Sequence, residues 1–433
     1  MEQSYYLKSG ILPTIRHNQR FLLSCFQGLT GGHAIALVAQ RWFQSASGRP
    51  GSNSEERDET RKRRGGNNMG SSPVKGSLKQ ESIETKQPKA PTYTAVEVSA
   101  SGQLRLVQRR VAEPGPGQVR IRVEACGICH TDAHTVNGTY PGLTLPRVPG
   151  HEVIGRIDAL GPGQSRWKIG QRVGVGLIAG EDGVCEPCRR GDTVNCQNPV
   201  VAGVTVDGGY AEIMIAEARG IASIPDELSS AEAAPLLCAG VTTYNALRNA
   251  GLHGGDLVAV QGIGGLGHLG VQFARQMGFR TVAIGRGPDK EKLAKDLGAH
   301  LYIDAAVEDA AAVLQRMGGA RAILATGTSG EVMGRLVPGL AARGKLIVVG
   351  APGDAIQLTA TPLIFGGRSV YGSLTGTPIE SEDTLAFSVL ENIRPMIETA
   401  PLDQAADAYA RMMQGKARFR MVLITKNGAM QSG

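Results

Sequence analysis

LVAVQGIGGLGHLG, residues 257–270, decides the fold of much of this chain. Four apolar residues in a row, Leu257–Val260, read as a strand buried on both faces. Gly262, Gly264, Gly265 and Gly267 then punctuate a turn that opens a helix over about residues 265–277. Glycines also mark ordinary turns, so the pattern alone is a weak signal. Between a strand and a helix it becomes a cradle for a pyrophosphate, because the missing side chains let backbone N–H groups and the positive helix end approach the phosphates.

Outward from this stretch the alternation continues. TVAIG (281–285), a helix around 290–297, HLYI (300–303), a helix across 305–317, AILAT (322–326) and KLIVVG (345–350) read as a doubly wound parallel sheet. Upstream, short β-branched runs at 119–123, 153–157, 173–175 and 211–215 alternate with Gly and Pro turns, the mark of an all-β unit of barrel type. After Ser373 come helical segments and a last strand, MVLIT (421–425), that returns to the first unit. The chain is thus α/β, with an extension over 1–92, a β unit over 93–238, a dinucleotide unit over 239–373 and a return segment over 374–433.

Charge separates the extension from the rest. Lys plus Arg outnumber Asp plus Glu by 14 to 7 over residues 1–92, and stand at 32 each over 93–433. The folded part therefore carries no bulk field for a polyanion, which argues against a nucleic-acid partner. No apolar run approaches the roughly 20 residues a spanning helix needs, so no membrane partner is expected either. Residues 1–45 hold Lys8, Arg16, Arg20 and Arg41 against one acid, Glu2, which resembles a mitochondrial transit peptide. From Gln44 to about Pro91 large apolar side chains almost vanish, the composition of a disordered linker. RKRR at 61–64 reads as a solvated charge run ahead of a phosphate-binding patch, and Met69 is an alternative start. The expectation is a cytoplasmic protein, with the mitochondrial matrix as the alternative if residues 1–45 act as a leader.

Six of the seven cysteines lie between Cys126 and Cys238, where they suit metal ligation in a reducing compartment better than a disulfide framework. Cys25 has no assigned role. Three soft or borderline ligands stand in CGICHTD (126–132), PGHEVIG (149–155) and LLCAGVTTYNAL (236–247). Three protein ligands leave a fourth position on zinc open for a substrate oxygen. A second cluster, EDGVCEPCRRGDTVNC (181–196), carries metal-ligand spacing by itself. At the end of TVAIG the acid that would hold the adenosine ribose of NAD is absent: Gly285 is followed by Arg286, which predicts a preference for NADP(H).

From about Tyr93 to Lys426 these motifs resemble the zinc-dependent alcohol dehydrogenases of the medium-chain dehydrogenase family. The resemblance implies a GroES-like β-barrel catalytic domain beside a Rossmann cofactor domain, a homo-oligomer, and hydride transfer between a small alcohol or aldehyde and a nicotinamide. It places catalytic zinc on Cys129, His151 and Cys238, with Cys126 a buried bystander. Glu152 is the acid beside the metal and Asp132 the acceptor for the His151 imidazole. Thr131 meets the substrate oxygen and His134 passes the proton outward. His130 is assigned to cofactor phosphate, Thr242 to the nicotinamide and Arg420 to the pyrophosphate. The family's structural zinc lobe uses four cysteines; here Cys185, Cys188 and Cys196 match, while the first position is Asp182. A hard carboxylate in place of a thiolate weakens such a site without abolishing it. Val136, Tyr140 and Leu177 fall at the substrate pocket, with aliphatic residues at 136 and 177 that favour medium-chain or aromatic primary alcohols. Two rivals remain: a cinnamyl-type aldehyde reductase, and an idle scaffold that binds RNA or a membrane surface.

Overall fold

The computed structural model describes residues 90–100 and 102–429, and the leader and linker readings lie outside them. The first unit opens with a hairpin of β1 (Thr92–Val98) and β2 (Leu104–Arg110), which the sequence reading did not single out. Strands β3 (Gln118–Ile128), β4 (Val153–Leu160), β5 (Arg172–Val175), β8 (Ile213–Glu217) and β9 (Ile221–Ser223) form an antiparallel sheet, with β6 (Ile178–Gly180) and β7 (Val200–Val201) paired apart from it. β3 changes character along its length. Val119, Ile121 and Val123 point into the barrel core while Arg122 is exposed, but from Glu124 to Ile128 every residue is buried. The second half is covered on both faces: Ala125 and Ile154 belong to the core shared with the nucleotide unit, and Cys126 and Ile128 to the barrel core.

The second unit is a six-stranded parallel sheet in the order β12 (Leu301–Asp304), β11 (Arg280–Gly285), β10 (Leu257–Gln261), β13 (Ala320–Ala325), β14 (Leu340–Val348), β15 (Ser369–Gly372). β10 is central and wholly buried, with Val258 and Val260 in one core and Leu257 and Ala259 in the other. That is why its sequence is a continuous apolar run. Leu269 and Phe273, fully buried on the helix Gly267–Gln276, cover one face, each stabilising by roughly 1.5–3 kcal/mol.

The helix expected across 305–317 starts later, at Ala310. Asp309 caps it by accepting from Ala311 and Ala312 N–H, and residues 305–308 form a turn on Asp304 instead. The return segment carries β16 (Ile397–Pro401) and β17 (Arg420–Ile424), and β17 pairs antiparallel with the second half of β3. It delivers Arg420 next to the strand that leads into Cys129. No described helix is long and apolar enough to cross a membrane.

Candidate active site

Cys129 follows directly on β3 and caps a single turn, His130–Asp132. Asp132 folds back so that its Oδ2 accepts from Cys129 N–H at 2.9 Å and from the Tyr210 hydroxyl at 2.8 Å. Its Oδ1 lies 2.9 Å from His151 Nδ1. An ionised carboxylate only accepts, so Nδ1 carries a proton and Nε2 is the ring nitrogen left for a metal. That Nε2 is buried and has no hydrogen-bond partner among the described residues. A buried acceptor without a donor is costly, and here it is aimed at two sulfurs.

Cys238 arrives from a distant part of the chain. The helix Ser230–Pro235 begins in a capping box between Ser229 and Glu232 and contains Pro235, which has no N–H to give. Directly after it the chain widens into one π-helical turn, Leu236–Gly240, that presents Cys238. Its Sγ lies 3.7 Å from Cys129 Sγ. Donor atoms of Cys129, His151, Glu152 and Cys238 all fall within 4.8 Å of one another. The hydrogen bond from Cys238 lowers the Cys129 thiol pKa well below its usual value, against burial and with help from His151. Two sulfurs and one bare imidazole nitrogen are the donor chemistry zinc prefers, and the unpartnered Nε2 gives this set its reason.

Glu152 is fully buried, with Oε1 paired to Arg420 and Oε2 unpartnered. Burial pushes its carboxyl up to about 7, although Arg420 pulls the other way. The site has shaped its neighbour: a Cβ on Gly127 would stand 1.9 Å from Glu152 Oε2, so only glycine fits between Cys126 and Ile128. Arg420 also reaches the glycine turn, where a Cβ on Gly265 would lie 3.0 Å from its Nη1.

The turn itself is built for close approach. Gly262 has φ +90°, and a Cβ on Gly267 would stand 1.7 Å from Gly262 O. At Gly264, by contrast, a Cβ would meet nothing within 4 Å. No protein atom demands a glycine there; a ligand lying on the turn would. Gly262–Leu266 line a cleft of about 720 Å³ with His130, Lys290, Thr326–Thr328 and Lys416–Arg420, ample for a nucleotide.

A family profile described as the alcohol dehydrogenase GroES-like domain matches residues 115–226, and one described as zinc-binding dehydrogenase matches residues 265–390. The alcohol dehydrogenase patD of Penicillium expansum is 42% identical over 320 residues, 74% of this chain and 94% of that protein. An alcohol dehydrogenase of Geobacillus stearothermophilus is 39% identical over 309 residues, covering 71% and 92%. A cinnamyl alcohol dehydrogenase of Sorghum bicolor superposes with TM-score 0.70 at 31% identity, covering 77% of this chain and 98% of that one. The chain belongs to the zinc-type medium-chain alcohol dehydrogenases. It is an enzyme that binds zinc and a nicotinamide nucleotide and acts on small alcohols or aldehydes, so the idle-scaffold reading falls away.

The enzyme's remaining expected residues are placed as follows. Thr131 is half-buried, its Oγ1 3.6 Å from Cys129 Sγ, and His130 lines the nucleotide cleft. His134 is exposed one turn on, with Nδ1 3.0 Å from Thr139 Oγ1. Thr242 is buried on the helix Val241–Arg248. Arg286 is exposed and lines a neighbouring cavity with Glu308, Asp309 and Arg335, while Lys290, which sequence reasoning passed over, lines the cleft of the turn. Its signal was available: a lysine five residues beyond the second strand, in a segment with no acid at the strand end. Tyr210 was also missed, because nothing local marks a tyrosine 78 residues away as an Asp132 donor.

In the lobe, donor atoms of Asp182, Cys185, Cys188 and Cys196 likewise lie within 4.8 Å of one another. Asp182 Oδ1 accepts from Val184 and Cys185 N–H, and Oδ2 from Asn198 Nδ2 at 2.8 Å. These donors, Cys185 N–H first, hold its carboxyl far below the usual range. Oδ2 keeps one lone pair, so a monodentate contact to a cation fits.

Proposed function

We propose that this enzyme interconverts medium-chain or aromatic primary alcohols and their aldehydes with NADP(H). The observation that carries this reading is the buried, unpartnered His151 Nε2 beside Cys129 and Cys238, joined through Glu152 and Arg420 to the glycine turn. When bound at Cys129, His151 and Cys238, zinc supplies Lewis acidity toward a substrate oxygen, and the nicotinamide supplies or takes the hydride.

The chain's own residues orient and protect that chemistry. Asp132 holds the His151 tautomer, with Tyr210 and Cys129 N–H holding Asp132 in turn. Thr131 takes a hydrogen bond from the substrate hydroxyl, and His134 hands the released proton to solvent. Gly262, Gly264, Gly265 and Gly267 admit the pyrophosphate, His130 meets its phosphates, Thr242 faces the nicotinamide and Arg420 braces the turn. Asp182, Cys185, Cys188 and Cys196 hold a second, structural zinc.

Preference for NADP(H) is supported by charge. Arg286 follows β11, Lys290 lines the cleft, and Asp304, paired with Gly285 at the end of β11, has Oδ1 occupied by Gly287 and Ala306 N–H. Comparing kcat/KM for NADPH and NADH decides it. Lys290→Ala is expected to raise the NADPH KM on the order of tenfold, the loss of one charge-assisted contact, and to leave NADH nearly unaffected. A clear NADH preference in the unaltered enzyme refutes this part.

A second reading, net reduction of cinnamyl-type aldehydes, is favoured by the likeness to the sorghum enzyme. An aldehyde panel with NADPH separates the two by relative kcat/KM. We further propose a cytoplasmic homo-oligomer. Beyond β14, the edge strand β15 pairs with no described strand, and Phe365 (88% exposed) and Ile364 (72%) stand just before it. Phe365→Asp is expected to shift the species seen by sedimentation to a smaller one, and cell fractionation with sequencing of the mature N-terminus tests the compartment.

A further inference from the structure

The helix Gly267–Gln276 turns one polar stripe toward the return segment. Gln276 Nε2 donates to Glu391 O at 3.2 Å, Gln272 Nε2 to Arg394 O at 3.1 Å, and Met396 N–H donates to His268 Nε2 at 3.1 Å. His268 Nδ1 lies 2.8 Å from Gly264 O, in the middle of the phosphate-cradling turn. A carbonyl only accepts and an amide N–H only donates, so the partners fix one neutral tautomer: proton on Nδ1, lone pair on Nε2. The ring is fully buried, and burial lowers its pKa to about 4, which keeps it in that form.

The same residue, Met396, continues the connection. Met396 O accepts from Phe419 N–H at 2.9 Å and Arg420 N–H at 3.1 Å, and the Phe419 ring packs 5.2 Å from the imidazole. Arg420 then pairs with Glu152, whose other oxygen faces the zinc ligands without a partner. Gly264, His268, Met396, Arg420 and Glu152 thus form one unbroken run of contacts from the turn to the metal site. Of the three stripe residues, His268 alone bonds both the turn and Met396.

We propose that His268 is a positioning residue that ties the phosphate-cradling turn to the Arg420–Glu152 pair, so that a dinucleotide filling the turn is felt at Glu152. This rests on the reading that the turn holds NADP(H). Zinc-loaded enzyme is titrated with NADPH, following nicotinamide fluorescence, in a double-mutant cycle of His268→Asn and Glu152→Gln. The shorter amide side chain keeps a donor for Gly264 O and loses the acceptor for Met396 N–H. His268→Asn is expected to raise Kd on the order of tenfold. The factor by which Glu152→Gln changes Kd is expected to differ at least threefold between the two backgrounds, because independent sites add to within about twofold. Equal factors, including no effect in either background, overturn the proposal. Gln272→Ala serves as the control and is expected to leave the Glu152→Gln factor unchanged; an equal loss of coupling there also overturns it.

Should the His268→Asn variant not fold, hydrogen exchange on the unaltered enzyme decides. NADPH is expected to slow exchange at the Met396, Phe419 and Arg420 amides, and unchanged rates refute the coupling. Absence of any NADPH fluorescence change would strike the cofactor reading itself, and so is told apart from a failure of coupling.

Discussion

The catalytic ligand set and the lobe both gather cysteines and a carboxylate within 4.8 Å, yet they are built in opposite ways. The first draws on residues 129, 151, 152 and 238, brought from the turn after β3, the loop before β4 and a π turn; its imidazole, Glu152 and Asp132 are all but sealed from solvent. The second fits within residues 182–196, half-buried, and closes on local backbone N–H groups. In the buried set a carboxylate stands behind the donor and leaves His151 Nε2 bare. In the lobe the carboxylate is itself in the donor ring, already engaged by Asn198. Tertiary structure makes the one, and local sequence makes the other.

This contrast can be broken by experiment. The largest effect is expected for His151→Ala, which removes the bare nitrogen: turnover falls to background while the lobe keeps its metal, so zinc content drops from about two to about one per chain. Loss of both ions would show that the two sites are not independent. Asp132→Asn keeps the size but lets the imidazole take either tautomer, and kcat or zinc affinity is expected to fall about 10–100-fold. An unchanged pair of values removes Asp132 from the design. Gly127→Ala drives a methyl into Glu152 Oε2 and is expected to cost about 1–3 kcal/mol, read as a lowered Tm with metal bound. The smallest effect on turnover belongs to Asp182→Ala, which is expected to release the lobe ion and lower Tm while kcat/KM changes less than with Asp132→Asn. If kcat/KM fell further than that, the lobe would be part of the catalytic apparatus.

The same contrast explains what was legible in the sequence. Gly262, Gly264 and Gly267 follow a buried strand and open a helix, and Cys185, Cys188 and Cys196 lie within one loop; both are local patterns set by backbone sterics and ligand spacing. The β hairpin at 92–110 was missed because β2 alternates around charged residues with little apolar content. Tyr210 escaped for another reason: it meets its site only through the fold, whereas Lys290 stood within reach of a local reading, five residues beyond β11. Arg420 was expected at the pyrophosphate and does border the turn, but its buried pairing with Glu152 depends on β17 lying beside β3, which no local pattern shows.

The widened turn at Leu236–Gly240 carries a consequence for how this chain tolerates change. A π turn holds one residue more than the α-helix it interrupts, so deleting a single residue there would let the two flanking helices fuse into one continuous rod. A π turn absorbs its extra residue locally, so the flanking helices would keep nearly their present phase while the side chains inside the turn shift by one position. Cys238 would then no longer stand where its sulfur meets that of Cys129 and the His151 ring. The reading frame of this helix, quite apart from the identity of its side chains, is therefore a property that substitutions can leave alone and a one-residue deletion cannot.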